Sequence, residues 1–90
     1  MKSLLDSARF SGGNDPDYIV MRELVGAFRN KAGELGCDEA FEISALAVTL
    51  GFMCCDKKEE NWRTIIEEFI KLAETNRAMF QKFYADERTN

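Results

Sequence analysis

From Trp62 to Tyr84 the apolar residues recur every three or four positions. At about 100° per residue, Trp62, Ile65, Ile66, Phe69, Ile70, Leu72, Ala73, Met79, Phe80, Phe83 and Tyr84 share one half of a helical cylinder. Arg63, Glu67, Glu68, Lys71, Glu74 and Lys82 fall on the other half. Only Asn76 and Arg77 interrupt the apolar side. The pattern predicts a helix over 57–86, opened by Asp56-x-x-Glu59, in which Asp56 can accept from a first-turn N–H. Glu59, Arg63, Glu67 and Lys71 alternate in sign four residues apart on its outer face, and Glu74 and Arg77 add a pair three apart. An apolar stripe a little over about 100° wide is enough to dock a helix on one core. A face nearer about 180° asks for two neighbours, or for one neighbour and a separate partner.

Two shorter helices precede it. Asn14-Asp15-Pro16 reads as a helix start: Asp15 caps, Pro16 takes the first position where its missing N–H is harmless, and Asp17 sits at the positive end of the helix dipole. Tyr18, Met21, Leu24, Val25, Phe28, Ala32 and Leu35 then form a single stripe, so the first helix is expected over 16–35, stopped by Gly36. Gly26 and Gly33 lie on its back, which means either a locally weak helix or a close approach by another backbone. The second helix is expected over 39–55 after Asp38. Ile43, Leu46, Ala47, Leu50, Met53 and Cys54 line one of its faces, and Phe41, Ala45, Val48, Phe52 and Cys55 line another nearly opposite. A helix apolar on two sides belongs at the centre of a domain. Residues 1–14 form an N-terminal arm in which Ser3-x-x-Asp6 can start a helical turn through Leu4, Leu5 and Ala8, and Gly12-Gly13 ends it. The expected fold is therefore all-α: one domain over 1–90, a three-helix bundle running up-down-up, with a short N-terminal segment and a long C-terminal helix.

Written as heptads, the long helix places Trp62, Phe69, Asn76 and Phe83 at a, and Ile65, Leu72 and Met79 at d. An Asn at a can fix the register of a coiled coil by meeting a matching amide across the seam. Inside a lone bundle the same amide would bond a backbone group or water. The residues expected to lack cover within one chain, and so to contact a partner, are Ile70, Asn76, Arg77, Met79, Phe80, Phe83 and Tyr84.

Composition narrows the function more by exclusion than by signature. The net charge of −4 comes from 12 Lys/Arg against 16 Asp/Glu, and no stretch concentrates cations as a phosphate-binding face must, which argues against nucleic acid and anionic membranes. Lys57, Lys58, Asn61 and Arg63 could begin a recognition helix, but Glu59 and Glu60 among them cancel the attraction to phosphate. Cys37, Cys54 and Cys55 are odd in number and follow no leader sequence, so a reduced cytoplasmic setting is expected, with the thiols acting as small hydrophobes. The apolar run from Ile43 to Cys55 is too short to span a bilayer.

With no His in the chain, the commonest general acid/base and the Ser-His and Cys-His nucleophile pairs are excluded. Glu39-x-x-Glu42 resembles the first half of the metal motif of the all-helical nucleoside triphosphate pyrophosphohydrolases, but the Glu-x-x-Asp that should follow on the next helix is missing. No enzyme activity, cofactor or metal is therefore expected. The sequence points to a small interaction module, an adaptor, regulator or inhibitor, docking the apolar face of its last helix on another protein chain or on a second copy of itself. A dimeric DNA-associated regulator and a Mg²⁺-dependent carboxylate enzyme are the alternatives.

Overall fold

A computed structural model describes residues 3–89, and side chains through residue 85. Among these residues the chain is all-α: α1 (Leu4–Ser7), α2 (Pro16–Glu34), α3 (Glu39–Met53) and α4 (Glu59–Thr89) are joined by turns, and no strand occurs. The chain divides into two units. One joins the N-terminal segment through Arg9 to the residues from Glu59 onward, and the other runs from Phe10 to Lys58.

In the first unit α1 packs against α4. Ser3 caps α1 through its hydroxyl, which accepts the Asp6 N–H at 3.1 Å. The Leu4 N–H, which no intrahelical carbonyl can take, donates instead to Glu68 Oε2 of α4 at 2.7 Å. Glu68 belongs by periodicity to the solvent face of α4. It is part-buried because α1 uses it. The 31 residues of α4 amount to about 46 Å of helix. It begins at Glu59 rather than at residue 57, because the preceding chain closes a tight turn in which Lys57 N–H donates to the Cys54 carbonyl at 3.1 Å. Asp56 makes no cap bond among the described residues.

The second unit is organised by helix caps. Asp15 closes the start of α2, one oxygen accepting the Asp17 N–H at 2.9 Å and the other the Ser11 N–H at 2.9 Å. Phe10 meets Tyr18 edge to face with ring centres 5.5 Å apart, which fastens the approach to α2 onto its first turn. At the far end Gly36 adopts φ +71°, a left-handed conformation that side chains other than Gly adopt only with strain. Gly36 N–H then reaches the Gly33 carbonyl, and Cys37 N–H reaches that of Ala32, so two orphan carbonyls of α2 are satisfied. Asp38 starts α3 by accepting the Phe41 N–H at 2.8 Å.

Ala32 is the buried apolar residue among those described. The expectation of two covered faces on α3 is not met: Phe52 is 78% exposed and Val48 71%, and Phe41, Ile43, Leu46 and Met53 are exposed as well. Exposed residues stand on both faces of α3, and Leu24 and Val25 of the α2 stripe are exposed as well, so within this unit the two helices do not pack stripe on stripe. At Gly26 and Gly33 an added Cβ would meet nothing within 4 Å among the described residues, so the structure shows no close backbone approach at either glycine.

Candidate interaction surface

The apolar side of α4 carries a group of large exposed side chains. Its second half carries Met79 at 54% exposure, Phe80 at 52%, and Phe83 and Tyr84 each at 55%, all on one side of the helix. Phe83 and Tyr84 hold each other edge to face at 5.5 Å, which limits the motion of two large rings that have little else around them. Ile70, earlier on the same side, is half exposed. Arg77 flanks the group and lines a shallow dip with Phe80, Gln81 and Tyr84. Arg and aromatic rings together are the composition that protein interfaces collect.

Asn76 is part-buried, and its Nδ2 donates to the Leu72 carbonyl of the same helix at 2.8 Å. The amide is thus satisfied by the helix backbone in the manner of short polar side chains that bond back four residues. On the outer face one of the anticipated ion pairs forms, Arg63 Nε to Glu59 Oε1 at 3.2 Å. The others, Arg63 with Glu67, Glu67 with Lys71 and Glu74 with Arg77, are not closed among the described residues.

A second apolar surface lies on α3. Its two hydroxyls do not compete for outside partners: Ser44 Oγ donates to the Ala40 carbonyl and Thr49 Oγ1 to the Ala45 carbonyl, each at 2.8 Å. Covering this helix would therefore strand no hydroxyl. Glu42, at 19% side-chain exposure, accepts from Arg29 Nε of α2 at 3.2 Å. Arg29, Glu39, Glu42, Ile43 and Leu46 line a shallow dip there. Nothing in the sequence pairs Glu42 with Arg29; the available signal is an acidic residue without an i,i+4 cation.

Among the described residues no three Cys, Asp or Glu gather as a metal-binding group. The three thiols are free, Cys37 and Cys54 part-buried and Cys55 exposed, so Cys55 is not the buried small hydrophobe that its place in the apolar run suggests. Among the described residues no helix is long and apolar enough to cross a membrane. No family model matches the chain, and no match is found among curated proteins or among solved structures.

Proposed function

We propose that this protein is a small non-enzymatic interaction module, acting in the cytoplasm as an adaptor, regulator or inhibitor, and that it docks through the apolar side of α4. The observation that carries this reading is the half-exposed cluster of Met79, Phe80, Phe83 and Tyr84, with Ile70 and Arg77 beside it. Large exposed apolar groups gathered on one helical face cost solubility and stability unless a partner covers them. In the docked state the three long helices form one up-down-up domain with α3 at its centre. The self-satisfied hydroxyls of Ser44 and Thr49 suit that position, because the helix then brings no unpaired hydroxyl into the interior.

The test is affinity capture from the source cells with the full chain and with a Phe80→Asp/Phe83→Asp variant, both checked for equal helix content by circular dichroism. A set of proteins retained by the first bait and lost with the second supports docking through α4. Identical sets from both baits, together with a wild-type chain that does not self-associate, would remove the reading.

A further inference from the structure

The N-terminal helix lies on the same helix that carries the exposed cluster. Leu4, Leu5 and Ala8 are part-buried, and the element α1 packs against is α4. The bond from the Leu4 N–H fixes the level of that contact, because its acceptor is Glu68. Helical residues three and four apart are neighbours, so Ile65 and Leu72 flank Glu68 on its side of α4, and both are part-buried. Met79 continues the row of Ile65 and Leu72 one heptad further on, at 54% exposure. Phe83, four residues beyond Met79, is 55% exposed. One apolar row is therefore part-covered at the level of α1 and open past it.

Little holds this cover in place. Four helical residues do not keep their shape by internal bonds, so α1 depends on its few part-buried apolar side chains and on the bond to Glu68. The ion pair of Arg9 with Asp6, at 3.9 Å, is exposed and lies within the segment itself, so it adds nothing to the hold on α4. When α1 lifts, the Leu4 N–H bonds water and the Glu68 carboxylate returns to solvent, and no polar group is stranded. A partner laid along the row from Phe83 toward the start of α4 meets α1 at the level of Leu72 and Ile65.

We propose that α1 is an autoinhibitory strap, latched by the Leu4–Glu68 bond, which occupies the Ile65–Leu72 part of the apolar row of α4 and leaves when a partner buries the whole row. The proposal rests on the docking reading above and adds its regulation. Two variants of the full chain test it. Leu4→Pro deletes the donor at the first position of α1, where proline is compatible with a helix, and Glu68→Ala deletes the acceptor. Tryptic cleavage after Arg9 should accelerate in both, and both should bind more anilinonaphthalene sulfonate, a dye that reports exposed apolar surface. In capture from the source cells, the proteins whose retention depends on Phe80 and Phe83 should be held about tenfold more strongly by the two variants, the factor by which losing one hydrogen bond to a charged group raises the released fraction.

The gain in capture is the decisive readout, because a segment with a purely structural role would lose binding when loosened. Capture that depends on Phe80 and Phe83 but rises in neither variant would overturn the strap and leave docking standing. Cleavage and dye binding at the wild-type level in both variants would also overturn it, since the latch would then hold nothing. Capture indifferent to Phe80 and Phe83 would sink the docking reading, and the strap with it.

Discussion

The backbone N–H of Leu4 donates to Glu68 Oε2 at 2.7 Å across 64 positions of sequence, so a carboxylate in the middle of the longest helix caps the shortest. A four-residue helix has too few internal bonds to persist alone. Its order depends on that carboxylate. Glu68→Ala should free the N-terminal segment at a cost of about 1.5 kcal/mol, the lower end for a hydrogen bond to a charged group because the site is only part-buried. Limited proteolysis gives the readout: cleavage near Leu4–Leu5 should accelerate while α4 stays intact, and an unchanged pattern would show that α1 is held by something else.

Asp15 gives a dependence on pH. The Ser11 N–H, then the Asp17 N–H, hold its carboxyl below the ordinary value of 3.8. Because the folded carboxyl is the more acidic one, its stabilising contribution is complete above the ordinary value and is lost as pH falls through the folded one. Carboxyl ¹³C shifts should report a midpoint under 3.8, with the Ser11 and Asp17 amides following the same curve. A midpoint at or above the ordinary value would mean that the cap does not form.

The Arg29–Glu42 pair joins α2 to α3 but leaves the guanidinium largely in water. Exposed pairs contribute about 0 to 1 kcal/mol. A double-mutant cycle with Arg29→Ala and Glu42→Ala should return a coupling in that range that shrinks in high salt, where screening is strong. A coupling well above it would require a drier contact than the structure has.

Gly33→Ala should stabilise α2 by about 0.5 to 1 kcal/mol, since the helix gains an Ala and the added methyl meets open space. Thermal unfolding followed at 222 nm checks this. A lower midpoint would indicate that another backbone does approach α2 at that point.

Phe69→Ala separates the lone chain from the docked one. A fully buried Phe costs about 3 to 5 kcal/mol when truncated. At 40% exposure Phe69 should cost less in dilute protein, and the loss should grow as concentration rises if α4 finds its partner. A cost independent of concentration would argue for cover within the chain.

What could be read from the residues and what could not divides along local and distant interactions. Asn14-Asp15-Pro16, Gly36 and Asp38 determine their helix ends through bonds spanning a few positions, and the structure places those ends where the local chemistry asks for them. Asp56 shows the limit of the same logic, because the turn closed by Lys57 N–H on the Cys54 carbonyl competes for the residues a cap would need. The C-terminal aromatics are half exposed, but so are Leu24 and Val25 on the narrow stripe of α2, so the width of the α4 stripe is not what sets their exposure. Glu68 and Glu42 were opaque for a different reason: each looks like an ordinary solvated carboxylate, and its role depends on Leu4 or Arg29 arriving from a distant or separate element. The openness of α3 was hidden too, since periodicity records which sides are apolar and not whether anything lies against them.

The inward-turned hydroxyls of Ser44 and Thr49 also limit where selectivity can reside. A rod that asks nothing directional of its surroundings can be gripped at many rotations with similar energy. Whatever lies along α3 meets side-chain shape there and, at the opening turn, a carboxylate that Arg29 already engages.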